Sequence, residues 1–384
     1  EKTVQQYLAT LSEKDFVQST QGIWFQSGHR LLVSNQGTTP LPAASLTKIA
    51  TSLAALETWG ANHRFETRFG ITGPIQAGVV QGDLVVQGSG NPFFIWEEAI
   101  AVGNALQKRG IQRINGNLVI ADKFYMNYES DPTTVGKLLL QGLNAKIWSP
   151  EAEAQYLTLP KGTARPQIEI AGSVQVAQQP LAKQLVLLRH QSLTLAQILK
   201  LVNIYSNNPM SEMLAESVGG AAKVAEKAAL MAGVPVSEIQ LVNGSGLGEE
   251  NKISPRATCA MLIAIERYLK SSTTPQGGAY TIADLFPVSG LDQQGTLAYR
   301  QIPVNAAVKT GTLNQVSALA GVLPTRDRGL VYFSIINRGG DLEGFRNQQD
   351  RLLQDLLQAW GTATSLPTAL KPNREANESP KIGG

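Results

Sequence analysis

The chain of 384 residues holds one cysteine, Cys259, and three histidines, His29, His63 and His190. A single thiol excludes an intrachain disulfide. Cys259 falls in the stretch 254–262, which reads as a helix start followed by apolar residues, so it is expected to be a small buried hydrophobe and not a nucleophile. The histidines stand far apart, and none has a second histidine or cysteine at ligand spacing, so no metal site is expected. No run of about 18 apolar residues occurs, which argues against a membrane-spanning helix. Charge of either sign is nearly balanced: 33 Lys and Arg against 30 Asp and Glu, a net +3. The basic residues are scattered, which argues against nucleic acid. A weakly basic protein is compatible with an anionic polymer such as a cell wall. No Gly-x-Ser-x-Gly elbow flags a hydrolase nucleophile, and Gly244-Ser245-Gly246 lacks that frame. The chain starts at Glu1 without a charged-then-apolar leader, which suits either a removed signal peptide or a cytoplasmic location.

What is present is a globular composition, 43% hydrophobic and 16% charged, long enough for two or three domains. A helical period runs through Val4, Tyr7, Leu8 and Leu11. Runs at 22–25 and 30–33, joined through Ser27-Gly28, read as a hairpin. After Pro40 and Pro42, Ser45 opens a segment with Leu46, Ile49, Leu53 and Leu56 on one helical face, stopped by Gly60. From about 63 to 190 the texture turns to short strand-like runs (82–86, 117–120, 168–170, 174–176) with one clear helix at 97–109. Helical texture returns at Thr194, and 211–230 reads as continued helix. Strands are expected at 306–308, 317–323 and 330–336, then a helix over 342–360. The predicted organisation is one α/β domain split in sequence, 1–62 and 191–362, around an inserted strand-rich module, 63–190. A disordered tail is expected over 363–384.

Three short motifs punctuate this frame: Ser45-Leu46-Thr47-Lys48, Ser206-Asn207-Asn208 and Lys309-Thr310-Gly311. A serine hydroxyl needs a base to attack a carbonyl. Residues i and i+3 share a helix face, so Lys48 points with Ser45. Lysine is a base only if desolvation or a second cation lowers its pKa, roles open to the apolar helix and to Lys309. A helix N-terminus favours a developing oxyanion. Ser206 and Asn208 sit at a break between helical segments, placed to relay a proton and to hold an amide. Lys309 with a threonine hydroxyl suits a terminal carboxylate, and Gly311 allows close backbone approach. Strand alternation would part Lys309 and Gly311 from Thr310 and Thr312, so a bulge or twist is expected there. A substrate could lie along such an edge as an added strand. Taken singly, each motif is as well read as an N-cap with a snorkelling lysine, a polar helix break, or a solvent-facing Lys-Thr pair. Their order and settings together point to acyl transfer through a serine ester.

With these motifs, further segments carry a resemblance. They include Pro42-Ala43-Ala44, Gly82-Asp83-Leu84-Val85-Val86, Gly88-Ser89-Gly90-Asn91-Pro92 and Tyr205 with Ala215-Glu216. Others are Asn243-Gly244-Ser245-Gly246-Leu247, Ile253-Ser254-Pro255-Arg256, Ser289-Gly290-Leu291 with Gly295-Thr296-Leu297, and Ser317-Ala318-Leu319-Ala320-Gly321. From about residue 20 to 360 the sequence resembles the D-alanyl-D-alanine carboxypeptidase/endopeptidase group of low-molecular-mass class C penicillin-binding proteins. The resemblance implies a penicillin-binding-protein/β-lactamase-like transpeptidase domain, an antiparallel sheet flanked by helices, with a strand-rich insert. It implies Ser45 as acylated nucleophile, Lys48 as its base, Ser206 as relay, Asn208 as substrate orienter and Lys309 in the proton network. Thr310, Gly311 and Thr312 would bind the substrate carboxylate, and the backbone N–H groups of Ser45 and Thr312 would form the oxyanion hole. Substrates would be peptidoglycan stem peptides, β-lactams would inhibit by acylating Ser45, no cofactor or metal would be needed, and the protein would work in the periplasm or another extracytoplasmic space. Asp122 resembles an insert acid that contacts a diamino-acid amine, although a plain loop aspartate fits as well.

Two features set this chain apart. Ser45 and Ser206 lie 161 positions apart, shorter than expected for members with the largest insert, so the insert is expected to lack a subdomain. A β-lactamase or related esterase shares the acylation step but needs a water-activating glutamate. Glu151 and Glu153 lie in the gap, without a Glu-x-x-Leu-Asn stretch. A non-catalytic scaffold is the remaining alternative, opposed by intact motifs.

Overall fold

The structure, a computed structural model, describes residues 2–178, 184–273, 278–373 and 379–383. The chain divides into two compact units, residues 1–63 with 195–377 and residues 64–194 with 378–384.

The first unit is built on a five-stranded antiparallel sheet. Its order is Ala307–Leu313, Val316–Thr325, Gly329–Arg338, Gly22–Ser27, Arg30–Asn35. Gly22–Ser27 pairs with Gly329–Arg338, so the N-terminal hairpin and the C-terminal strands share one sheet. The strands Val316–Thr325 and Gly329–Arg338 are buried almost throughout because helices cover both faces. Phe333 points to Phe345 on the helix Leu342–Trp360, within a core that also takes Val4 and Leu11 from the helix Lys2–Ser12. Its neighbour Tyr332 points the other way, donating its hydroxyl to Glu266 on the helix Pro255–Lys270. Period-2 alternation is thus kept in the structure while hidden in the composition.

Behind this sheet lies the helix Thr47–Trp59, with Thr47 to Leu56 all buried. It packs against the helices Leu195–Tyr205, Asn208–Val218, Ala221–Ala232 and Pro255–Lys270. A helix enclosed on every side has little amphipathic stripe. Gly60, at φ +85°, closes it. The single helix expected over 211–230 is two. Gly219 and Gly220, at φ +122° and +93°, turn the chain between them where helical dihedrals are impossible.

The second unit carries a mixed six-stranded sheet, ordered Val174–Val176, Leu118–Lys123, Leu84–Ser89, Arg64–Ile71, Leu185–Thr194, Lys381–Gly383. Leu84–Ser89 and Leu118–Lys123 run parallel. They therefore need a crossover, which the helix Trp96–Lys108 supplies. Two further helices, Pro132–Gly142 and Pro150–Tyr156, stand where no helix was expected. Each starts on a side-chain cap, Asp131 and Ser149, with proline in its first turn. Those Pro-rich signals read as loop punctuation in the bare sequence. The tail also departs from the expected disorder. Leu370 is buried in the first unit, and Ile382 packs on the second unit's core as Lys381–Gly383 pairs with Arg189–Gln191. Apolar residues inside a polar tail outweighed its composition. Residues 374–378 of that tail lie outside the described residues.

Candidate active site

The first unit brings five of the motif residues into one cluster. Ser45 sits in a 3-10 turn, Ala44–Leu46, that leads into the helix Thr47–Trp59. Ala44 adopts φ +48° and Ser206 φ +51°. For non-glycine residues such dihedrals cost roughly 1–3 kcal/mol and tend to mark functional sites. Gly246, at φ +85°, passes so close to the turn that a Cβ there would collide with the Ala44 carbonyl. The loop bearing Gly246 thus locks the turn from one side. From the other side, a Cβ on Gly311 would lie 3.1 Å from the Ser45 nitrogen, so only glycine lets the strand pass at this distance without displacement.

Lys48 is fully buried. Its Nζ lies 2.9 Å from Ser45 Oγ, 2.7 Å from Asn208 Oδ1 and 2.8 Å from the Ser245 carbonyl oxygen. Burial lowers its pKa to about 7, and the Glu212 carboxylate works against that fall. The sequence reading allowed Lys309 a share in the depression; burial is what produces it. The partner set then fixes the direction of proton flow. Carbonyl and amide oxygens only accept. A neutral Lys48 amine therefore donates to Asn208 and Ser245, and its lone pair is left for the Ser45 hydroxyl proton.

Lys309, also fully buried, places Nζ 3.0 Å from Ser206 Oγ and 2.8 Å from the Thr310 carbonyl oxygen. Burial first, and the Lys48 charge second, hold its pKa well below the lysine range. Asn208 opens the helix Asn208–Val218, where Asn207 accepts from the Met210 N–H as the cap. The second motif therefore presents Ser206 and Asn208 from a capped helix start.

The strand Ala307–Leu313 is the sheet edge and pairs with Val316–Thr325 in continuous register. Of the expected bulge or twist, the bulge is absent. Lys309 is buried beside Ser206 while Thr310 and Thr312 line a cleft of about 370 Å³ with Gly295, Thr296 and Tyr299. Asp122 belongs to the second unit. It has φ +57° and lines a smaller cleft of about 230 Å³ with Glu66, Arg68 and Gln87. Its carboxylate lies 3.5 Å from the Gln87 amide nitrogen. Of the rival acids, Glu153 pairs with Arg165 and Glu151 is exposed, both in the second unit.

Sequence reasoning missed two participants. Ser245 enters through its backbone carbonyl, which no side-chain motif announces. Glu212 holds that carbonyl in place: its carboxylate accepts the N–H groups of Gly244 and Ser245, each at 2.9 Å. Ser211 and Thr51 hydroxyls both donate to the Gly244 carbonyl. A glutamate six residues beyond Ser206 lies on the helix behind the second motif, and that spacing was the available signal. Cys259 is buried, as its apolar helix suggested.

With this geometry in hand, comparison with known proteins gives a consistent picture. The model of the D-Ala-D-Ala carboxypeptidase 3 (S13) family matches residues 6–136 and 139–359. A D-alanyl-D-alanine carboxypeptidase, DacB, of Haemophilus influenzae is 24% identical over 82% of this chain and 85% of its own length. One from Actinomadura is 24% identical over 82% of this chain and 76% of its own. In fold, the chain is similar to a penicillin G-acylated predatory endopeptidase of Bdellovibrio bacteriovorus. The TM-score is 0.74 at 18% identity, over 94% of this chain and 99% of that one.

Proposed function

Since the chain belongs to the D-Ala-D-Ala carboxypeptidase 3 (S13) family, we propose that its first unit cleaves peptidoglycan stem peptides at D-Ala-D-Ala through an ester on Ser45. The protein is a serine-type D,D-peptidase, a hydrolase. The observation that carries the residue assignment is Lys48, buried, lowered to about 7 and 2.9 Å from Ser45 Oγ.

Neutral Lys48 takes the Ser45 proton as Oγ bonds to the carbonyl carbon of the penultimate D-Ala. The oxyanion is received by the N–H groups of Ser45 and Thr312. Collapse breaks the C–N bond, and the leaving nitrogen takes a proton from Ser206, whose oxygen regains the proton that Lys48 took from Ser45, carried over the Lys309 network, so that Lys48 is neutral again. Water, deprotonated by Lys48, then attacks the ester and releases the shortened peptide with Ser45 reprotonated. Asn208 orients the substrate amide, and Thr310 and Thr312 hold its carboxylate beside Gly311. A cross-linked peptide differs in the leaving amine, so endopeptidase action follows the same steps. A β-lactam acylates Ser45 with its ring nitrogen as leaving group; ring opening keeps that group tethered, which slows water. Asp122 is an acid suited to binding a cationic amine of a stem peptide in the second unit's own cleft. No helix among the described residues is long and apolar enough to cross a membrane, and a peptidoglycan substrate places the work outside the cytoplasm.

The test is intact-protein and product mass spectrometry. Wild type should gain one penicillin mass and release D-Ala from a stem pentapeptide. Ser45→Ala should do neither, and labelling that persists in that variant would overturn the nucleophile assignment. Rapid turnover of penicillin by wild type would favour the β-lactamase reading.

A further inference from the structure

The cleft beside Thr310 and Thr312 has a second wall. It comes from the segment around Arg300 and from the start of the helix Leu342–Trp360, with Glu343 and Arg346 facing in. The two arginines differ. Arg300 is committed: its guanidinium bonds Asp350 at 2.6 and 3.1 Å and Gln349 at 3.1 Å, with both ion-pair partners nearly buried. Arg346 makes one polar side-chain contact among the described residues. Its Nη2 donates to Thr312 Oγ1 at 3.0 Å.

That contact sets the polarity of the threonine. A guanidinium has donors only. Thr312 Oγ1 must accept from it, so the hydroxyl proton is left to donate elsewhere. A hydroxyl that already accepts from a cation is a stronger donor. Arg346 and Thr312 together present a polarised O–H and the remaining guanidinium N–H groups, a planar array that fits a carboxylate.

We propose that Arg346 is a specificity-determining residue that reads the substrate carboxylate α to the leaving nitrogen, directly and through Thr312. This rests on the D,D-peptidase reading above. It makes the free acid, and not its amide, the preferred substrate. Glu343 lines the same cleft three residues earlier on the helix and opposes an anion there, so removing its charge should act in the opposite direction.

The experiment uses the full chain, an acyl-peptide ending in D-Ala-D-Ala and its C-terminal amide, and benzylpenicillin with its neutral methyl ester. The strained lactam pair reports acylation even where the amide reacts slowly. For Arg346→Ala, kcat/KM on the free acid should fall about tenfold, mostly in KM, with about twofold or less on the neutral partner. Arg346→Lys should recover part of the loss, and Glu343→Gln should raise kcat/KM on the free acid alone. Melting curves identify any variant that fails to fold, and Arg346→Lys then carries the comparison. Equal losses on acid and neutral substrates, or none on either, would overturn the proposal. A wild type that acts on none of the four, no differently from Ser45→Ala, would overturn the parent reading with it.

Discussion

Each unit buries titratable groups, yet with different surroundings. In the first, Lys48 and Lys309 are fully buried, and among the described residues no carboxylate is bonded to either Nζ. In the second, Glu98 and His190 are the buried pair. Burial raises Glu98 to about 8, and its carboxylate accepts the Ile95 N–H as a helix cap. Burial lowers His190 to about 4. Its ring meets Phe94 edge-on and neither nitrogen has a hydrogen-bond partner among the described residues. In the second unit Arg68 and Arg189 pair with Glu66, Arg165 with Glu153, and Arg113 and Lys146 with Glu169, all at partly exposed positions. Perturbed titration is therefore not what marks the site. An uncompensated buried cation is among the costliest things a fold can hold. The first unit holds two lysines where that cost falls, so burial pushes both toward the neutral amine, each against a serine hydroxyl. Glu98 and His190 instead face a backbone N–H and an aromatic ring.

The largest effect should come from removing the base while keeping the charge. Lys48→Arg cannot deprotonate, so acylation of Ser45 should fall by about 10²–10⁴-fold; a variant within tenfold of wild type would equate the two units after all. In wild type the protonated Lys48 has no lone pair, so the acylation rate should climb as pH rises through about 7 and level off above it. A flat profile from pH 5.5 to 8.5 would count against the assignment. A smaller effect belongs to Glu212→Gln. The carboxylate raises the Lys48 pKa, so its loss should move the rising limb to lower pH, while the amide oxygen still accepts one of the two loop N–H groups. The smallest effect lies in the second unit. Glu98 is raised from 4.5 to about 8, so its stabilising contribution is complete below pH 4.5 and fades as pH rises through 8. Glu98→Gln should remove that decline from the melting temperature while leaving Ser45 acylation unchanged. Loss of acylation in that variant would mean the second unit's buried acid serves the reaction.

Much of this was legible beforehand because it is local. Ser45 and Lys48 are three residues apart on a helix, and the hairpin at Ser27-Gly28 and the helix stop at Gly60 rest on glycine dihedrals. The helices Pro132–Gly142 and Pro150–Tyr156 escaped notice because a proline after a cap looks the same as a proline in a loop. The Lys309 strand runs in continuous register without a bulge, one of the two expected alternatives. A long side chain can reach Ser206 from its own face of a regular strand, and alternation says nothing about how far it reaches.

By itself the sequence determined which groups were available: a serine with a lysine one turn on, a polar helix break, and a Lys-Thr-Gly edge. Periodicity and dihedral preference act over a few residues and are written in them. Tertiary structure alone decided that Lys48 is dry, that its remaining donors go to Asn208 and the Ser245 carbonyl, and that Glu212 holds that carbonyl in place. Asn208 is 160 positions from Lys48 and Ser245 is 197. Desolvation is a sum over everything packed around an atom, so no short stretch of sequence contains it. That sum lowers the pKa of an ordinary lysine to about 7.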